Sequence, residues 1–214
     1  AYRRVADTLG VERYQSVPLY LPGDTLVPER YGRDGTLAYL LGTEGGFDRI
    51  LPITLEDEWL VPHRYLRELA DSTVFHHVIF VDRLYQNIAT LERMDKGEWK
   101  IRSMNPATTG RHAPPYAQET PLGMYLLQQK KSRMVFLKDG STATGGYAPY
   151  ASRFTNGAYI HGVPVNVPRT AMIEYSWSLG TTPRSHMCVR NATSHAKFVF
   201  DWAPAERSLV VVIE

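Results

Sequence analysis

The sequence predicts a mostly β protein in two parts: a small β-barrel over residues 1–75 and a larger β domain over 76–214 with one short helix. Three observations carry this. Short extended segments alternate with Pro- and Gly-bearing turns through the first part. The second part holds apolar or alternating runs of strand length and closes on Ser208-Leu209-Val210-Val211-Val212-Ile213-Glu214, a buried strand. Within it, Ser194-His195-Ala196-Lys197-Phe198-Val199-Phe200-Asp201-Trp202 has helical spacing.

Taken in order, residues 1–12 read as the end of a helix. Extended pieces follow from Ser16 to Leu66, with Arg33-Asp34-Gly35 as a tight turn between them. The stretch Glu58-Trp59-Leu60-Val61-Pro62-His63-Arg64-Tyr65-Leu66 loosely resembles the last strand and helical turn of bacterial SH3-like domains. Residues 67–75 form the linker. This first part is expected to contribute no catalytic group, and His63 has no evident partner in it.

Val78-Ile79-Phe80-Val81 begins the second part as a strand and turns into Tyr85–Leu91 as a hairpin. Trp99–Met104 alternates and reads as the next strand. Asn105–Pro121 reads as a loop, and Gly123–Gln128, Met134–Leu137 and Ala158–His161 as further strands. Lys130-Lys131 with Arg133 reads as a solvated turn. Gly145-Gly146-Tyr147-Ala148-Pro149-Tyr150 reads as a lid loop.

The chain has 24 basic and 22 acidic residues, mixed along its length, for a net charge of +2. That balance gives no case for nucleic acid. No apolar run is long enough for a membrane span. The start at Ala1, without methionine, reads as cut from something longer, so a signal peptide or anchor is expected to have preceded it. One cysteine excludes an internal disulfide.

That cysteine lies in Ser185-His186-Met187-Cys188-Val189-Arg190-Asn191. A lone cysteine is commonly a small buried hydrophobe. Nucleophilic cysteine chemistry needs more: a base for the thiol proton, donors for an oxyanion, and access to the sulfur. His161 and His186 are both candidate bases, and Arg190 is a positive charge close by. On extended backbone, residues two apart share a side, which puts His186 beside Cys188. His161 ends a strand at the Gly162-Val163-Pro164 turn. No metal-ligand spacing occurs: His76 and His77 face opposite sides of a strand, and His112 has no Cys or carboxylate at ligand spacing.

The order of these pieces resembles the active-site signature of the L,D-transpeptidases, the YkuD-like catalytic domain. His161-Gly162 comes first, then Ser178-Leu179-Gly180, then Ser185-His186-Met187-Cys188-Val189-Arg190. Upstream, Ser103-Met104-Asn105, Thr109-Gly110 and Glu119-Thr120-Pro121-Leu122-Gly123-Met124-Tyr125 resemble the family's strand, loop and TPxG segment. The resemblance covers about residues 77–214 and implies a β-sandwich with a short helix.

It also implies roles. Cys188 is the acylated nucleophile and His161 the general base, its ring oriented by the Gly162 carbonyl. The backbone N–H groups of Met187 and Cys188 are the oxyanion donors, and His186 lines the same site. Arg190 holds a substrate carboxylate or braces the loop, and Ser185 hydrogen-bonds beside His186. Tyr147, Tyr150 and Arg153 are substrate-binding candidates. The partner is a peptidoglycan stem peptide, in the cell envelope, in wall building and cell shape, and no cofactor is needed. The reaction is acyl transfer: a tetrapeptide stem loses its terminal D-alanine, and a diamino-acid side-chain amine captures the thioester. Alternatives are an L,D-carboxypeptidase using water and a catalytically inactive wall-binding protein. Two features depart from the family: it carries glycine where this chain has Met187, and a methionine strains a positive-φ turn; and the span from His161 to Ser185 is longer than the family's spacing, which implies an inserted hairpin over Asn166–Ser176.

Overall fold

The computed structural model describes residues 16–214, together with the backbone of two short strands, β1 (Val5–Ala6) and β2 (Glu12–Arg13), which pair antiparallel. The helix expected over 1–12 is therefore not what its described backbone forms, and the remainder of that expectation lies outside the described residues.

The first part is built from two small antiparallel sheets. One pairs β3 (Val17–Leu19) with β4 (Arg30–Gly32), and the other orders β5 (Ala38–Glu44), β6 (Phe47–Pro52) and β7 (Trp59–Pro62). A bridge between Tyr20 and Leu60 joins them. Alternation along β6 is regular, with Asp48, Ile50 and Pro52 buried. Leu19, Ile50, Trp59 and Val61 form the apolar cluster between the sheets. His63, expected to be unpartnered, has its Nδ1 2.7 Å from the buried Asp48 carboxylate.

The second part is a curled sheet of ten strands: β8 (His77–Asp82), β9 (Asn87–Arg93), β10 (Trp99–Thr108), β11 (Gly123–Leu126), β12 (Gln129–Leu137), β13 (Thr144–Thr155), β14 (Ala158–His161), β15 (Val165–Asn166), β16 (Val189–Asn191) and β17 (Ser208–Ile213). The path runs β11-β17-β8-β9-β10-β16-β14-β13-β12, with β15 beside β13. One helix, α1 (Thr193–Trp202), packs on β13.

β10 makes the curl possible. It pairs with β9 from Trp99 to Pro106, shifts register between Ile101 and Ser103, and pairs with β16 at Ala107 and Thr108. A bulged strand bends, so β10 passes from one layer to the other. The layers close on one core: Ile79, Val81, Ile88, Val210 and Val212 from one side, Phe154, Ile160 and Val189 from the other, with Val199 of α1. The strand expectations at 78–81, 158–161 and 208–214 correspond to β8, β14 and β17, and the helix to α1.

Four segments of the second part differ from expectation. The loop expected at Asn105 starts later, because β10 continues to Thr108. Gly145–Tyr150 is no lid; it belongs to the long strand β13. Lys130, Lys131 and Arg133 are on β12, an edge strand, rather than in a turn. Charged side chains suit such an edge, since they discourage pairing with another chain.

Residues 167–184 form no hairpin; they run irregularly from β15 to the Cys188 segment. The α1 N-cap is Ala192, which offers no side-chain acceptor. The irregular segment supplies what the helix start lacks: the Glu174 carbonyl accepts from Thr193 N–H at 3.0 Å, and its carboxylate accepts from Ser194 N–H at 3.1 Å.

Candidate active site

β14 and β16 run parallel, with Ile160 opposite Val189 and His161 opposite Arg190. Ile160 and Val189 enter the core. Side chains alternate along a strand, and paired residues share a face. His161 and Arg190 thus lie together on the opposite face, and extending the register two residues back brings Tyr159 and Cys188 to that same face. Cys188 is the free thiol of the chain and is partly exposed.

His161 is buried, and its Nδ1 lies 2.6 Å from the Gly162 carbonyl oxygen. A carbonyl only accepts, so Nδ1 carries the proton and Nε2 is left as the acceptor. Burial lowers the ring's pKa to about 4, with the Arg190 charge adding to the effect and the Gly162 bond opposing it. The imidazole is therefore neutral near neutrality, the state a base requires. Gly162 is itself demanded by space: a Cβ there would sit 2.8 Å from Thr193 Oγ1 and 3.0 Å from the Thr193 Cα.

The Cys188 thiol donates to the Gly157 carbonyl at 3.5 Å. Burial raises its pKa to about 11, offset in part by a hydrogen bond from the Tyr159 backbone and by the Arg190 charge. The Arg190 Nε is buried with no hydrogen-bond partner. Its neighbours are His161, Cys188 and a second cation, Arg111. A half-buried guanidinium with its Nε unpaired, beside another cation, is suited to an anion.

The turn before the thiol is held from two sides. Ser185 is fully buried; its N–H donates to Thr109 O at 3.0 Å, its carbonyl accepts from Arg111 N–H at 3.1 Å, and its Oγ donates to the Cys188 carbonyl. Thr120 Oγ1 donates to the Met187 carbonyl at 2.8 Å and accepts from Gly110 N–H at 2.8 Å. Gly110 has no room for a side chain, since a Cβ would be 2.3 Å from Gln118 O and 2.7 Å from the Met187 Cα. Behind it, Gln86 clasps Thr109 through both amide atoms, at 2.7 and 2.9 Å.

Met187 keeps the positive φ the sequence raised as a problem, at +100°. Its side chain is buried in the main core cluster. This conformation breaks the alternation that puts His186 beside Cys188. Instead, the His186 ring is exposed and its Nδ1 lies 3.4 Å from Asp139, in the β12–β13 connection.

The substrate-binding candidates separate. Tyr147 is half-buried under the Arg133 guanidinium, 3.8 Å from the ring centre, and its hydroxyl donates to Thr170 O at 2.9 Å. Tyr150 turns to α1, against Phe200 at 5.9 Å. Arg153 is not a cleft residue: it is 1% exposed, pairs with Asp34 of the first part, and donates to Gln128 Oε1 at 2.9 Å. Its charge is consumed inside the protein. His195 is buried on Ser103 Oγ at 2.9 Å, and Glu119 pairs with Arg83 at 3.2 Å. Among the described residues, no group of three or more His, Cys, Asp or Glu converges to hold a metal.

Gly110 and Thr120 were legible only as parts of a motif, and no local pattern marks the Thr120–Met187 contact. Arg111, beside Arg190, is the charged neighbour that sequence reasoning missed.

The sequence model of the YkuD family, described as the L,D-transpeptidase catalytic domain, matches residues 76–213. No curated protein matches the chain. Its fold is similar to that of an L,D-transpeptidase solved with imipenem, at 20% identity and a TM-score of 0.50 over 84% of this chain and 82% of that one. It is likewise similar to an L,D-transpeptidase from Mycobacterium smegmatis, at 14% identity and a TM-score of 0.50 over 83% and 82% of the two chains.

Proposed function

The chain belongs to the YkuD family of L,D-transpeptidase catalytic domains and is an L,D-transpeptidase enzyme; from that premise we propose that it joins peptidoglycan stem peptides through a thioester on Cys188. The observation that carries this reading is the pairing of β14 with β16. It sets a neutral, tautomer-fixed His161 and an unpartnered Arg190 on the face that bears the only thiol.

In this mechanism His161 Nε2 takes the thiol proton as the sulfur attacks the carbonyl of the third residue of a tetrapeptide stem. The S–C bond forms while the peptide bond to D-alanine breaks. The proton passes from His161 to the departing amine. The diamino-acid amine of a second stem then attacks the thioester; its proton goes to His161 and on to the sulfur, which restores the thiol. The N–H groups of Met187 and Cys188 receive the oxyanion, and the positive φ of Met187 is suited to turning two successive amides toward one point. Arg190 pairs with a stem carboxylate. The enzyme acts at the cell wall, outside the cytoplasm. Among the described residues no helix is long and apolar enough to cross a membrane.

The test is incubation with purified disaccharide-tetrapeptide followed by mass spectrometry. Cross-linked dimer with released D-alanine is the expected product. Tripeptide without dimer would assign water as acceptor, and no turnover by folded protein would overturn the reading.

A further inference from the structure

The turn Arg33-Asp34-Gly35 of the first part enters a slot in the second. Asp34 is held on three sides: Arg153 donates to its Oδ2, Thr155 Oγ1 to its Oδ1 at 2.9 Å, and Asn156 N–H to the same oxygen at 2.7 Å. Gly35 has φ +81° and no space beside it, for a Cβ would lie 2.6 Å from Phe154 O. Its carbonyl accepts from Leu126 N–H at 2.8 Å. Tight fit, a buried ion pair and backbone bonds together make this a fixed joint.

Arg33 reaches one step farther. Its Nη1 donates to Asn156 O at 3.4 Å and lies 3.6 Å from Met187 Sδ. Those two contacts are the two sides of the thiol. Asn156 precedes Gly157, whose carbonyl accepts the Cys188 thiol. Met187 precedes Cys188, and its φ of +100° is unfavourable for any residue with a Cβ. A strained residue persists only where its surroundings over-determine it. Here the Met187 side chain is packed against Gly157, where an added Cβ would be 3.2 Å from Sδ, and the Arg33 guanidinium lies 3.6 Å from the same sulfur.

We propose that Arg33 and Asp34 are positioning residues for the Cys188 thiol: Asp34 fixes the Thr155–Gly157 turn, and Arg33 clamps the Met187 side chain against it, so the first part of the chain holds the strained residue that aims the sulfur. The proposal rests on Cys188 being the reactive group of the function above. The charged and titratable groups already around that sulfur are Tyr159, His161 and Arg190, with Arg111 next to Arg190. Arg33 acts from behind them, through Met187, and touches no substrate.

The test uses the full chain with Arg33→Ala, Arg33→Lys, Met187→Gly and the double variant Arg33→Ala/Met187→Gly. Glycine carries no strain at positive φ and leaves nothing to clamp. Arg33→Ala is expected to lower kcat on the order of tenfold with KM little changed. The rate of Cys188 alkylation by iodoacetamide should change in parallel, while the melting transition stays cooperative. Arg33→Lys should recover part of the loss, and Arg33→Ala should have no further effect in the Met187→Gly background. Unchanged kcat and alkylation in folded Arg33→Ala, or the same loss with and without Met187, overturns the proposal. Alkylation needs no peptidoglycan, so it reads this coupling even if the assigned substrate is wrong.

Discussion

His161 and Arg190 sit opposite each other in a parallel strand pair, and Cys188 lies two residues before Arg190, on the same face. A buried imidazole next to a permanent cation stays neutral, and its pKa is held down to about 4. The same cation, together with the Tyr159 backbone, only partly offsets the burial that lifts the thiol to about 11. The resting pair is therefore neutral thiol and neutral imidazole, with the proton passing only when substrate is in place.

Cys188→Ala is expected to abolish turnover on tetrapeptide while changing unfolding free energy by about 1 kcal/mol or less, because one sulfur is removed from a partly exposed site. Denaturant unfolding and product analysis on the same preparation check both halves. Turnover by the folded variant would remove the nucleophile assignment.

Stability should fall toward acid in a defined window. His161 and His195 both have pKa values lowered by burial to about 4. A lowered folded pKa gives stability that is present above the unfolded value, 6.5, and is lost as pH falls through about 4. Each histidine accounts for at most about 3 kcal/mol. Cys188 works oppositely: its raised value gives stability present below 9.0 and lost as pH rises toward about 11. Denaturant midpoints across the range should trace a plateau with a shoulder at each end. A flat acid limb would show that the two rings are not buried neutral.

A chain beginning near Ser72 should not behave as an independent domain. It would leave Arg153, 1% exposed, without the Asp34 carboxylate. Removing one partner of a buried pair costs about 3–5 kcal/mol. Asp34→Ala in the full chain should show a loss of that order in denaturant unfolding. An unfolding midpoint equal to the parent's, in either protein, would mean the joint bears no load.

Thr120→Val should weaken the loop that presents Cys188. It strips a donor from the Met187 carbonyl and an acceptor from Gly110 N–H, both buried, for about 1–3 kcal/mol. Gly110→Ala should be worse, because the added carbon meets backbone at 2.3 and 2.7 Å and not a movable side chain. If thermal unfolding ranks the two the other way, Gly110 has more freedom than its surroundings imply.

The parts of this architecture that were legible are those written in local pattern. β17 and β8 read as strands because their apolar runs are continuous, and α1 because its spacing is helical. β13 did not, because Gly145, Gly146 and Pro149 mimic a loop; Pro149 nonetheless stays in the strand, its carbonyl accepting from Gly162 N–H at 2.9 Å. The Asp34–Arg153 pair spans 119 positions, and no local pattern marks a contact of that range. Met187 stood out as a chemical oddity, yet the backbone angle and the contacts that hold it come only from the packed structure.

The last prediction separates the two histidines of the site. His161 arrives from β14, is buried, and has its Nδ1 proton held by Gly162 O, so Nε2 is the nitrogen that can take a proton. His186 precedes the positive-φ turn, and its exposed ring lies toward Asp139. His161→Ala should therefore lose thiol acylation at neutral pH. It should regain part of it as pH rises from 9.0 toward about 11, where hydroxide supplies the thiolate that the missing base no longer makes. His186→Ala should keep the parent's pH profile, with its loss confined to a few-fold in KM or kcat. Acylation rates over that range, on variants shown to be folded, decide it. Alkaline rescue in His186→Ala and none in His161→Ala would exchange their roles.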